Sequence, residues 1–250
     1  MISSSAIQTA VIAATFVVAG FVKGVTGMGL PTVAMGVLGT LMPPVEAAAL
    51  LLVPSFVTNV WQLLAGPRVR KLIARLWPMM LGIVLGTVAA ASFIAGSGGQ
   101  WAVVGLGVAL ALYAVAGLLA KRFHVPAQHE RWLSPAIGAV TGLVTGATGV
   151  FVVPAVPYLQ GLGLKKEDLV QALGLSFTVS TIALAIGLAR EHAVATGQLG
   201  ASLFAVVPAL LGMWIGQRVR GRIGAETFRR WFFVCLLALG LQLMARAFVS

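Results

Sequence analysis

Charge is scarce in this sequence. Only 9% of its 250 residues are charged, whereas a soluble domain carries roughly a quarter, and 59% are hydrophobic, with a mean hydropathy of +1.00. That balance argues against a water-soluble globular fold. Cysteine occurs once, as Cys235 inside an apolar run, which excludes a disulfide framework and a thiolate metal site. The three histidines, His124, His129 and His192, have no paired ligand spacing, so no metal is expected. There is no GxSxG elbow, HExxH helix or P-loop; the reading predicts no catalytic residue and no cofactor. Acidic residues are far fewer than basic ones, six against 17. The six, Glu46, Glu130, Glu167, Asp168, Glu191 and Glu226, fall in loops or first helical turns. With no carboxylate expected at the bilayer midplane, a cation pathway or a carboxylate proton relay lacks its usual residues.

What the chain does have is apolar stretches of bilayer length. Residues 45–64, 76–94 and 101–120 in the first half, and 169–188, 201–219 and 231–247 in the second, each approach the ~20 residues a spanning helix needs. Each trio is preceded by a Gly-interrupted segment, 6–42 and 132–163, that reads neither as one helix nor as two full ones. Met1 to Ser5 carry no basic residue, so a cleaved signal peptide is not expected. The tryptophans near span ends, Trp61, Trp77, Trp101, Trp132 and Trp231, fit an interfacial belt.

The formal charge of +11 would suggest nucleic acid in a soluble protein; in a membrane chain it sets orientation, and no nucleic acid partner is expected. Fourteen of the 17 basic residues are expected in four loops: Arg68 to Arg75, Lys121 to Arg131, Lys165 with Lys166, and Arg218 to Arg230. Placing all four in the cytoplasm puts both termini outside. The first broken segment then begins and ends outside and the second begins and ends inside, so the halves are inverted.

An internal repeat agrees. Gly20, Gly24 and Gly27 recur 122 residues later as Gly142, Gly146 and Gly149, and Glu46 recurs as Asp168. Pro78, Gly82 and Gly86 recur as Pro208, Gly212 and Gly216, 130 residues on. The expected fold is an all-α polytopic membrane protein of about ten helical segments. They form two inverted five-segment repeats, 1–125 and 126–250, with Gly-broken helices 1/2 and 6/7. Broken helices at matching places in inverted repeats point to a secondary transporter with its site at the repeat interface. Close helix packing is the competing reading of the glycines, above all for Gly82, Gly86, Gly212 and Gly216.

The run from Gly20 to Gly29 (GFVKGVTGMG), its echo from Gly142 to Pro154 (GLVTGATGVFVVP), and the stretch from Gln171 to Ser180 (QALGLSFTVS) resemble the sulfite exporter TauE/SafE family along essentially the whole chain. The resemblance implies a multi-pass permease for sulfur-containing anions such as sulfite or organosulfonates.

The candidate substrate-binding residues are Lys23, Thr26, Gly27, Gly29, Asn59, Thr145, Thr148, Gly149, Ser176 and Ser180. Lys23 is the one charge in a Gly-broken segment; an ammonium, hydroxyls and half-helix N-termini all suit an anion. Lys23 equally fits a residue snorkelling to the headgroups. Asn59 aligns with Ser180, and Ser55 with Ser176, at an offset of 121; both pairs also fit interhelical hydrogen bonds. The expected partners are a small anionic substrate and membrane lipid, with a homodimer left open. The expected location is the cell (inner, cytoplasmic) membrane. The rival is an integral membrane enzyme acting on a lipid or small anion.

Overall fold

A computed structural model describes residues 4–96, 100–119, 124–193, 196–222 and 224–249. Residues 1–3, Lys121 and Arg122, residues 97–99 of one short connection, and residues 194–195 of the other lie outside the described residues. The described residues form eleven helical segments and no strand. These are α1 (Ser4–Thr26), α2 (Leu30–Leu38), α3 (Pro44–Leu64), α4 (Val69–Gly96), α5 (Gln100–Leu119), α6 (Ala127–Thr148), α7 (Ala155–Gly161), α8 (Lys166–Arg190), α9 (Thr196–Phe204), α10 (Val206–Val219) and α11 (Ala225–Val249). Seven stretches are long and apolar enough to cross a membrane, α9 and α10 counting together as Gly197–Val219. The span expected over 201–219 lies within Gly197–Val219, where a one-residue irregularity at Ala205 separates α9 from α10.

The basic ends differ from expectation. Arg70, Lys71 and Arg75 lie inside α4, Arg131 inside α6, and Arg229 and Arg230 inside α11, not in loops. Long cationic side chains are good helix formers and reach water from the ends of helices that outrun the lipid. The Gly-broken segments each resolve into one full helix and one short one. At ~1.5 Å per residue, α2 spans about 14 Å and α7 about 10 Å of a ~30 Å hydrocarbon core.

Helices pair in a reciprocal pattern: α1 lies along α10 and α6 along α4, while α3 lies along α8 and α5 along α11. Glycines make the first two pairings possible. A Cβ at Gly20 would come within 2.1 Å of the Ala209 carbonyl oxygen, and one at Gly24 within 2.3 Å of that of Met213. Across the other pair, an added Cβ at Gly142 would come within 2.4 Å of the Ile83 carbonyl oxygen, and one at Gly146 within 2.4 Å of that of Thr87. In lipid no hydrophobic force drives helices together, so backbone approach through small residues supplies the packing. Outward, Leu85, Leu112, Leu203 and Trp214 are exposed as a lipid-facing surface requires.

Described members of the four basic stretches come together: Lys166, Arg220 and Arg229 line one cavity beside His124, and two ion pairs join the others. Arg68 Nη1 meets Asp168 Oδ2 at 2.6 Å, and Arg75 makes a two-pronged pair with Glu130 at 2.6 and 2.7 Å. Val125 donates its N–H to Gly161 at 2.9 Å.

Candidate functional site

The two helix breaks are built alike. Gly27 and Gly149 both adopt left-handed backbone, with φ of 79° and 72°, a conformation that glycine enters without the clash a Cβ creates. The Gly27 N–H bonds the Lys23 carbonyl at 2.7 Å, and the Gly149 N–H bonds that of Thr145 at 2.8 Å. Thr26 Oγ1 bonds the Val22 carbonyl at 2.9 Å and accepts the Met28 N–H at 3.2 Å. Thr148 Oγ1 repeats both contacts with Val144 at 2.6 Å and Val150 at 3.2 Å. Every residue of the second set stands 122 positions after its counterpart.

Their surroundings differ. After Gly149 the chain continues through Val150, Phe151 and Val152, all fully buried, and the Phe151 ring packs 5.4 Å from that of Phe177. After Gly27 comes only Met28 before Gly29, at φ 100°, starts α2. This break opens onto a cavity of about 1250 Å³ bounded by the ends of α1, α5 and α10 and by α7 and α11. Its mouth carries the exposed side chains of His124, Lys166, Arg220 and Arg229. Its depth holds Tyr113, Phe232 and Phe233, each less than a tenth exposed. No carboxylate lines it among the described residues.

Beside the open break lies a buried polar chain. Lys23 is 3% exposed and its ammonium donates to the Asn59 side-chain oxygen; Asn59 Nδ2 donates in turn to Thr181 Oγ1 at 3.3 Å. Snorkelling is therefore corrected: Lys23 points into the helix bundle. Gln62, one turn further along α3, donates to the Gly27 carbonyl at 2.9 Å and to that of Val170 at 3.0 Å. The hydroxyls of Ser55, Ser176 and Ser180, on the packed pair α3 and α8, are buried without a hydrogen-bond partner among the described residues. Groups of this kind in native proteins are met by water or solute.

Of the sequence candidates, then, Lys23 and Asn59 are joined directly, and Thr26 lines the cavity with Gly27 and Gly29 beside it. Ser176 and Ser180 sit unpartnered on α8. Thr145 bonds the Thr141 carbonyl at 2.7 Å within its own helix, and Thr148 and Gly149 belong to the filled break. Helix ends contribute little donor capacity: Pro31 stands in the first turn of α2 and removes one N–H. Sequence reading missed Tyr113, Phe232, Lys166, Arg220 and Arg229 as cavity residues. The cations had been read for orientation alone, and Tyr113, one of two tyrosines, sits in a span with no other polar side chain after Gln100.

No curated relative and no solved structure matches the chain. One family model does, described as Sulfite exporter TauE/SafE and covering residues 12–243, which takes in both helix breaks, the polar chain and the whole cavity. On that match the chain belongs to the sulfite exporter TauE/SafE family of membrane transporters.

Proposed function

We propose that this protein is a secondary permease exporting a sulfur-containing anion, sulfite or an organosulfonate, by alternating access across the cytoplasmic membrane. The observation that carries the reading is the sign of the cavity: its charged lining is Lys166, Arg220 and Arg229, the last paired with Glu226 outside the lining at 2.8 Å, and its depth reaches Thr26 and Met28, three and five residues after the buried Lys23. An anion entering there meets cations at the mouth and an uncompensated ammonium behind the break.

The halves 1–125 and 126–250 are read as inverted repeats. Support comes from the 122-residue interval shared by both cap networks and from the α1–α10 and α6–α4 pairings, which exchange when the halves are exchanged. The break filled by Phe151 is then the closed, external side, and the cavity is open to the cytoplasm with the basic face inside and both termini outside. The binding residues on this reading are Lys23, Thr26, Gly27, Gly29 and Asn59, joined by Ser176, Ser180, Thr145, Thr148 and Gly149 once the second break opens. An interior negative by ~100 mV favours loss of a monovalent anion by about 2.3 kcal/mol, close to fiftyfold, so export needs no coupling ion.

The test is efflux of labelled sulfite and of a small organosulfonate from proteoliposomes. Flux above that of protein-free vesicles, accelerated by a negative interior and abolished in folded Lys23→Ala and Asn59→Ala protein, is the expected result. Absence of anion flux from wild-type protein overturns the proposal.

A further inference from the structure

Tyr113 occupies an uneconomical position for a tyrosine with a purely structural task. It is 2% exposed in the middle of α5, and among the described residues its hydroxyl donates to one partner, the Met28 sulfur, at 3.1 Å. A thioether is a weak acceptor, so a buried O–H is left far from its best pairing. Met28 itself is the one residue between the two left-handed glycines of the open break, and both it and Tyr113 line the cavity.

The surroundings of that hydroxyl are apolar and aromatic. Phe233 packs edge-on against Tyr113 with centroids 5.2 Å apart, and Phe232 lies 5.0 Å from Phe233. Phe228 completes the wall below the cationic mouth. A bare oxyanion has no use for such a surface. A cavity of about 1250 Å³ also exceeds the ~300–1,000 Å³ that holds a drug-sized ligand. Burying apolar carbon against these rings is favourable, whereas an inorganic ion would pay desolvation without that gain.

We infer that the cavity binds an organic anion with an apolar body, whose oxyanion end accepts a hydrogen bond from Tyr113 in place of Met28 and whose body lies against Phe228, Phe232 and Phe233. The inference rests on the anion-permease reading and narrows its substrate class. Tyr113 is a direct ligand to the anion and the phenylalanines set chain-length preference. The mouth cations attract any anion equally.

Calorimetric titration of purified wild-type protein with sulfite, methanesulfonate, propanesulfonate and hexanesulfonate, with hexanol as the neutral control, reads the inference without a variant. Affinity is expected to rise about fourfold for each methylene buried. Sulfite and hexanol are expected to bind far more weakly than hexanesulfonate. Tyr113→Phe is expected to lose at least tenfold in affinity for every sulfonate while keeping the chain-length slope, and Phe232→Ala to flatten the slope. Equal affinity for all chain lengths, hexanol binding as tightly as hexanesulfonate, or an unchanged Tyr113→Phe overturns the inference. Sulfite binding and flux with no chain-length dependence sinks this inference and leaves the permease standing; no binding or flux of any anion sinks both.

Discussion

Asn59 donates to Thr181 across the contact of α3 and α8, Nδ2 to Oγ1 at 3.3 Å, and the two residues are 122 positions apart. That is the interval between the two helix breaks, one residue more than the offset of 121 that aligns Asn59 with Ser180, so on the inverted-repeat reading the bond lies close to the axis relating the halves. Lys23 hangs its ammonium on the same Asn59. The only full charge in the buried polar chain is thereby held where the two halves meet.

Removing either partner of Lys23 and Asn59 has unequal consequences. Asn59→Leu leaves a buried ammonium without its acceptor and is expected to cost about 2 kcal/mol or more. Lys23→Met removes the charge at similar volume and is expected to leave stability unchanged or raised, with flux abolished. The double variant should resemble Lys23→Met alone. Denaturant titrations of the three in detergent measure the cycle, and equal losses from both single variants would refute the asymmetry.

The packing glycines separate sharply from spectator glycines. An added Cβ at Gly138 meets the Met79 carbonyl at 2.1 Å and one at Gly212 that of Val17 at 2.0 Å, in both cases backbone that cannot swing aside. Gly138→Ala and Gly212→Ala are each expected to cost about 3 kcal/mol or more, or to abolish assembly. At Gly105 on α5 the nearest atom is a Thr148 methyl at 3.6 Å, an ordinary contact, so Gly105→Ala is expected to be neutral or to gain up to about 1 kcal/mol. Unfolding midpoints decide between them.

These glycines also mark what was legible in the sequence. The starts at 45 and 101 and the end at 64 emerge within a residue of α3 and α5, Ala120 lying outside the described residues, because unbroken apolar composition and a proline or polar boundary coincide there. The start of α4 did not, since hydropathy stops at Arg75 while the hydrogen-bonded helix runs on to Val69. The breaks at Gly27 and Gly149 were readable from spacing because only glycine takes their backbone without strain. The cavity was not. Its walls come from α5 and α11, where Tyr113, Phe232 and Phe233 look like any apolar span, and only the tertiary meeting with Met28 distinguishes them.

The ion pairs at the basic end tie α4 to α6 and the α3–α4 turn to α8, and the sequence repeat gives them no partner at the other end: the position 130 residues after Arg75 is Ala205. With the arginines 47% and 41% exposed, each pair is worth about 1 kcal/mol at most. Glu130→Gln is expected to lower stability by about 0.5–1 kcal/mol in dilute buffer and by less than half of that in 0.5 M salt. A loss that does not shrink with salt would mean that the Arg75 pair is not what Glu130 contributes to stability, since the Tyr158 hydroxyl bonds the Glu130 backbone carbonyl, which the substitution leaves in place.

Accessibility tests the unequal breaks directly, because Cys235 is the single cysteine and its replacement by serine gives a clean background. Thr26 and Thr148 stand 122 positions apart with matching hydrogen bonds, yet Thr26 lines the cavity whereas Thr148 is 4% exposed, next to the fully buried Val150, Phe151 and Val152 in sequence. A membrane-impermeant maleimide should therefore label Thr26→Cys from the basic face, and hexanesulfonate should protect it. Thr148→Cys should react at least tenfold more slowly from either face, because its sulfur is covered by side chains packed at interior density. Phe151→Ala in that background removes the ring packed on Phe177 and should raise the Thr148→Cys rate from the opposite face alone. Equal labelling of the two cysteines from both faces would mean the breaks are alike in the working protein. The filled break could not then be the closed side of a permease.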